Sequence, residues 1–255
     1  MTTHTPHEPH TSTKPLTIAV IGATGMVGSR VITEAGTRGH RVLALSRKPT
    51  GDDPGVTPVP VDAGNARDLR EAFTGSTARP APDAIVLSVR TEPADPVFLT
   101  GTTRTVLDIA AALNIRVLVV GGAGALRSPG TPDLLIADDP AYVPTHLRPV
   151  AAAGIAQLRA AETHGHHDWV YLSPPALLQP GERTGRYRRG TDTLLTAADG
   201  RSWISAEDLA VAVLDEIESP GPERHITAVP REPREHTATG TGSQPPARRG
   251  GRSRG

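Results

Sequence analysis

Three glycines recur at a spacing of three in Ile18-Ala-Val-Ile-Gly22-Ala-Thr-Gly25-Met-Val-Gly28. They follow an apolar run, residues 16–21, and open a stretch of helical spacing, residues 26–38. Each glycine then has a chemical task. Gly22 permits a tight strand-to-helix turn, and Gly25 lets the backbone approach a pyrophosphate with no Cβ in the way. Gly28 lets the helix pack close to its sheet. The helix N-terminus offers unpaired N–H groups and the positive end of its dipole to an anion. Thr24 adds a hydroxyl donor. Such a loop is built to hold the phosphates of a dinucleotide.

A second cluster sharpens that reading. The next strand, residues 41–46, ends in Ser46-Arg47-Lys48. Proteins selective for NAD place an acidic side chain there, on the ribose hydroxyls. A cationic cluster pairs instead with a 2′-phosphate, and Arg does so bidentately. The expectation is NADP(H) in preference to NAD(H). Asp62, after the third strand, is placed to face the adenine, as the acidic residue there does in such folds.

These residues need a scaffold, and the rest of the chain supplies one. Apolar runs at residues 16–21, 41–46, 84–89, 116–120, 169–173 and 226–229 are too continuous to alternate. Helical stretches separate them, at 26–38, 65–73, 97–113, 149–164 and 205–218. Strands buried on both faces and joined by helices form a parallel sheet with right-handed crossovers. The expected fold is α/β, a Rossmann-type doubly wound sheet with a small C-terminal substrate lobe. Residues 56–61 predict a weaker strand, interrupted by Pro58 and Pro60. Asn65 is a helix cap, and Ser205 with Asp208 comes close to a capping box. Ala-Ala-Asp-Gly between residues 193–196 and 202–204 reads as a hairpin. Residues 1–14 and 231–255 are polar, Pro/Thr-rich or Arg/Gly-rich, and are expected to be disordered tails around one domain, residues 15–230.

Composition removes several alternatives. The 255 residues carry 27 Lys+Arg against 27 Asp+Glu, so the chain as a whole is not built to coat nucleic acid or an anionic membrane. Aromatics make up 3%, too few for base stacking, and cysteine is absent, which excludes disulfides, thiolate metal sites and a Cys nucleophile. No basic-then-apolar leader opens the sequence, and no apolar run reaches the roughly 18 residues of a membrane span. The expectation is a cytoplasmic protein, monomer or homodimer, whose partner is a small molecule rather than nucleic acid or membrane.

At Gly-Ala-Thr-Gly-Met-Val-Gly the sequence resembles the atypical short-chain dehydrogenase/reductases. More narrowly it is similar to the NADH-flavin reductase-like proteins, related to biliverdin-IXβ/flavin reductases and NmrA-like regulators. The resemblance spans about residues 16–229. It also rests on Val119-Val-Gly-Gly-Ala-Gly124, Tyr171-Leu-Ser-Pro-Pro-Ala176, Pro180-Gly-Glu-Arg-Thr-Gly-Arg-Tyr187 and Ile204-Ser-Ala-Glu-Asp-Leu-Ala210. It implies that Gly22, Thr24, Gly25, Met26 and Val27 hold the pyrophosphate and Arg47 the 2′-phosphate. It places Ser88 and Val89 along the cofactor, and Gly121, Gly122 and Ala123 at the nicotinamide ribose. Ser173, Pro174 and Pro175 would flank the nicotinamide.

Short-chain dehydrogenases acting on alcohols and ketones normally use Tyr-x-x-x-Lys, the Lys lowering the Tyr pKa. That relay is missing. No Lys follows Lys48, and Tyr142, Tyr171 and Tyr187 have His146, Pro175 and Thr191 four residues on. A flavin or quinone needs little help with protons, so orientation and desolvation suffice to reduce it. The expected function is hydride transfer from NADPH to such an acceptor, with FMN or FAD as substrate. The alternative is a catalytically silent NADP(H)-binding redox sensor of the NmrA-like type. No catalytic residue is fixed; Tyr142 and His146, in the segment expected to cover the nicotinamide, and Ser173 are the candidates. His164-Gly-His166-His167 reads as a helix end rather than a metal site. Asp138-Asp139 reads as a solvated loop. The run Arg183, Arg186, Arg188, Arg189 lies on the expected substrate side, where it either meets an anionic acceptor or forms a solvated turn.

Overall fold

The computed structural model describes residues 14–49, 53–77 and 79–231. The expected tails therefore lie almost wholly outside the described residues. Along the chain run β1 Thr17–Ile21, α1 Met26–Thr37, β2 Arg41–Ser46, β3 Val56–Pro60, α2 Ala66–Thr74, β4 Ala84–Leu87, α3 Pro96–Leu113 and β5 Arg116–Val120. Then follow β6 Arg127–Ser128, β7 Thr131–Leu135, α4 Arg148–Glu162, β8 Trp169–Ser173, β9 Leu177–Gln179, β10 Tyr187–Gly190, β11 Trp203–Ser205, α5 Ala206–Glu218 and β12 His225–Pro230.

The main sheet has the order β10-β12-β8-β5-β4-β1-β2-β3, parallel throughout except for β10. Order reverses between β1 and β4, so the crevice for a ligand opens at the carboxyl ends of those strands. Strand alternation feeds a core on each face. Ala19 and Ile21 of β1 pack with Val106, Leu107 and Ala110 of α3 on one side. Ile18 and Val20 pack with Val31 and Ala35 of α1 and Leu209 and Val213 of α5 on the other.

Local chemistry explains the helix starts. Asn65 accepts from the N–H groups of Arg67 and Asp68, Asp95 from those of Val97 and Phe98, and Ser205 from that of Asp208. Asn114 ends α3 in the left-handed region, φ 55°. The Ser205 site departs from a capping box. The Asp208 carboxylate is buried and spends its bonds on the Thr184 N–H and Oγ1 and the Gly185 N–H.

Two expectations change. Residues 56–60 form a regular strand despite Pro58 and Pro60, because β3 is the sheet edge and needs only one set of ladder bonds. The hairpin across residues 193–204 does not form. The turn is there, with Ala197 N–H bonded to the Arg201 carbonyl at 2.7 Å, but its flanks part. Trp203–Ser205 pairs in parallel with Leu177–Gln179, while Thr193 bridges to Arg127. The short antiparallel strands β6, β7 and β10 carried no recognisable sequence pattern, since each is brief and largely polar or exposed.

Candidate cofactor and acceptor cleft

A cleft of about 1600 Å³ runs across the carboxyl ends of β2, β1, β4, β5 and β8. Ordinary small-molecule sites are ~300–1,000 Å³, so there is room for a dinucleotide and a second ligand. Its floor is the glycine loop. Gly22 sits at φ +87°, and a Cβ there would lie 2.5 Å from the Ser88 carbonyl oxygen. A Cβ at Gly28 would overlap the Gly22 carbonyl. The loop is tied down by Gly22 and Ala23 N–H groups donating to the Leu45 carbonyl and by Gly25 N–H donating to Gly22. Ser88 donates from both its N–H and its Oγ to the Ile21 carbonyl, which locks β4 against β1 under the loop. No side chain caps α1 at Gly25, unlike α2, α3 and α5, so its first N–H groups face the cleft without a protein acceptor.

The sequence-derived cofactor residues gather in this cleft. Gly22, Thr24, Gly25, Met26, Val27, Ser46, Arg47, Lys48, Asp62, Ser88, Val89, Gly121, Gly122, Ala123, Pro174 and Pro175 all line it. Gly28 lies just beneath, acting through the close approach of α1 to the loop. The residues fit a dinucleotide: Gly22 and Gly28 leave no room for a Cβ, and the Ser46 Oγ is buried with no hydrogen-bond partner among the described residues. Asp62 is held by the Gly64 N–H at 2.9 Å. Gly121 has an additional reason to be glycine: a Cβ there would overlap the ring of Tyr171.

Several candidates sit elsewhere. Ser173 is fully buried and does not line the cleft; its Oγ shares a 2.9 Å hydrogen bond with His225 Nε2. Burial holds the His225 pKa down to about 4, against the pull of Asp192. The imidazole therefore stays neutral at pH 7 and packs edge-on to Tyr171, ring centroids 5.6 Å apart. Tyr171 is buried as well, its hydroxyl donating to the Gly154 carbonyl, and burial raises its pKa. His146 is exposed and does not line the cleft, whereas its neighbour Leu147 does. Tyr142 reaches the cleft, half-buried against Ile136 and Val143.

None of Arg183, Arg186, Arg188 and Arg189 lines the cleft. Arg183 forks onto Glu34 of α1 at 2.6 and 2.8 Å, and Arg189 bonds Glu216 and Glu223. Glu34 also takes Arg38, and these two guanidiniums hold its carboxyl below the usual range despite burial. Tyr187 donates to Asp215. The Pro180–Tyr187 motif thus clamps a loop to α1 and α5. Trp203 packs beside Arg201, 5.9 Å from guanidinium to ring, and lines no part of the cleft. His164 pairs with Asp108 and His166 with the Ile115 carbonyl. Among the described residues no cluster of three or more His, Cys, Asp or Glu is placed to hold a metal. Asp139 is a loop staple, accepting from Ser128 Oγ and the Ala141 N–H.

Sequence reasoning missed the far wall. Ile136, Val143, Leu147, Val150, Gln157 and Leu178 line the cleft from separate segments. One local signal existed: Leu147 and Val150 are 44% and 40% exposed, apolar side chains at the start of α4.

Residues 22–220 match the NAD(P)H-binding family. The uncharacterised YwnB protein of Bacillus subtilis is 33% identical over 208 residues, covering 80% of this chain and 92% of its own. A proposed exported protein of Burkholderia pseudomallei is 34% identical with a TM-score of 0.72, covering 84% of this chain and 98% of that one. A proposed NADH-flavin reductase of Streptococcus pneumoniae is 27% identical with a TM-score of 0.71, covering 85% of this chain and all of that one (100%). No described helix is long and apolar enough to cross a membrane. With the glycine cradle at the sheet's switch point and the match spanning most of the folded region, the chain belongs to the NAD(P)H-binding family, in agreement with its resemblance to the atypical short-chain dehydrogenase/reductases.

Proposed function

We propose that the protein is a cytoplasmic NADPH-dependent reductase of a flavin-like or quinone-like acceptor. The observation that carries the reading is a single cleft with a phosphate cradle at one end and an apolar wall at the other, with no Tyr/Lys relay between them. Thr24 and the N–H groups at the start of α1 hold the pyrophosphate. Arg47, Lys48 and the Ser46 hydroxyl take the 2′-phosphate, where a bidentate guanidinium contact favours NADPH over NADH. Gly121, Gly122 and Ala123 let the ribose of the reacting ring approach the backbone. When bound, the reduced nicotinamide supplies one hydrogen with its electron pair to the acceptor, and water supplies the proton that completes a two-electron reduction.

The residues around the reacting ring orient and exclude water rather than move protons. Pro174, Pro175, Leu178, Leu147 and Val150 supply the apolar surface for an acceptor. The likeness to a proposed NADH-flavin reductase supports the class of acceptor. The test is NADPH oxidation by purified protein, followed by absorbance, with and without an isoalloxazine or naphthoquinone acceptor. Acceptor-dependent consumption above the protein-free rate is the expected result. Tight NADPH binding with no consumption on any acceptor would replace this reading with a silent redox sensor.

A further inference from the structure

One residue that lines no part of the cleft touches four that do. Tyr171, on β8, is fully buried. Its ring lies directly under Gly121, in the space a Cβ would take. Its hydroxyl hydrogen is shared between the Gly154 carbonyl of α4, at 2.9 Å, and Gln157 Oε1, at 3.3 Å. The Gly122 N–H lies beside the same oxygen. Gly121, Gly122, Gly154 and Gln157 all line the cleft where β5 meets α4. Both ends of this contact are anchored. Gln157 donates onward to Thr103 Oγ1 of α3 at 3.2 Å. His225 stands edge-on to the Tyr171 ring and bonds Ser173 Oγ, next to the lining residue Pro174.

The loop above the ring has little else to place it. Gly121 and Gly122 have no side chains to pack, and a Cβ on Gly122 would meet nothing within 4 Å. Their position is therefore set from beneath, by the Gly121 N–H on the Leu172 carbonyl at 2.9 Å and by the Tyr171 phenol.

From this we infer that Tyr171 is a positioning residue: its phenol fixes the Gly121–Gly122 loop against α4, and so sets where the ribose and ring of a bound nicotinamide sit relative to an acceptor. The inference rests on the reductase reading above for its effect on rate, and on cofactor binding alone for its effect on the bound ring. A misplacement of ~1 Å at a reacting centre costs up to about 100-fold in rate. Phe at position 171 keeps the ring under Gly121 and removes only the link to α4.

The experiment compares Tyr171→Phe with Tyr187→Phe. Tyr187 is the control: a half-buried phenol that donates to Asp215 at 2.7 Å and lines no part of the cleft. Three quantities are measured on each protein: Tm, the fluorescence emission of bound NADPH without acceptor, and the single-turnover rate of NADPH oxidation by a naphthoquinone. Tyr171→Phe is expected to shift the emission of bound NADPH and to slow the single turnover about tenfold or more, with the NADPH Kd changed less than about threefold. Tyr187→Phe is expected to lower Tm and leave emission and rate as in the wild type. A Tyr171→Phe protein with a lowered Tm but wild-type emission and rate would make the phenol structural only and overturn the inference. Equal shifts in the two variants would overturn it as well. Should Tyr171→Phe not fold, Thr103→Val removes only the far anchor of Gln157. It should move emission and rate in the same direction by a smaller amount, and no change in either would overturn the inference. A wild-type protein that binds NADPH but oxidises it with no acceptor would remove the reductase reading, and the emission of bound NADPH alone would then decide the role of Tyr171.

Discussion

The two halves of the cleft are built in opposite ways. The β2 half is polar and cationic, and comes from short contiguous pieces of chain: the loop Gly22–Val27, the tripeptide Ser46–Lys48, and Asp62. Backbone geometry shapes it, because Gly22 and Gly28 abut carbonyls that would clash with a Cβ. The β5–β8 half is largely apolar and comes from side chains spread from Val120 to Leu178, far along the chain from that loop. Side-chain packing shapes it, down to the Tyr171 ring that occupies the space beside Gly121. Phosphate recognition needs N–H groups at fixed positions, which one turn can supply. Ring recognition needs area, which only several elements together can supply.

The comparison breaks most easily at the glycine loop. Gly28→Val drives a branched side chain into the Gly22 carbonyl, and overpacking of ~3 kcal/mol corresponds to about 100-fold. NADPH and NADH should both weaken by that factor in a fluorescence titration, since the pyrophosphate contact is common to them. Wild-type affinity in this variant would mean that the loop does not carry the phosphates.

A charge reversal at the edge of the same half sharpens the contrast. Arg47→Glu should weaken NADPH by about 10- to 100-fold, the scale of a charged hydrogen bond of ~1.5–3 kcal/mol. NADH should change little, because the lost partner is the 2′-phosphate alone. Equal losses for the two cofactors in parallel titrations would remove the 2′-phosphate assignment.

The smallest effect belongs to the other half. Tyr142→Phe deletes the phenol of the apolar wall and should lower turnover with a quinone or flavin by less than about threefold, against the 10²–10⁴ a general acid contributes. A collapse of kcat in steady-state assays would reveal a proton donor in a wall now described as passive.

The mostly parallel, helix-flanked sheet, the helix caps at Asn65 and Ser205 and the glycine loop were all legible in the chain. Each is written in neighbouring residues: continuous apolar runs for buried strands, an Asx or Ser oxygen before a helix, glycines at a fixed spacing. The Arg183–Arg189 run was legible as charge but not as location. Its partners Glu34 and Glu216 lie on α1 and α5, 149 residues from Arg183 and 27 from Arg189, and no local pattern reports either pairing. The same holds for Ser173. Its place after Tyr171-Leu172 suggested the cofactor, yet the hydroxyl turns to His225 on the neighbouring strand, inside the protein.

By itself, then, the sequence determined the fold class, the glycine loop and the lack of a Tyr-x-x-x-Lys motif, because these depend on the spacing of residues within a turn or two. The tertiary structure alone decided which cations the fold already pairs, which hydroxyls are sealed in the core, and that the wall of the cleft at the β5–β8 end is largely apolar. Those properties belong to pairs of segments brought together by packing: a guanidinium is a binding group only if no carboxylate of the fold already holds it, and an apolar side chain is a wall only if nothing in the fold covers it.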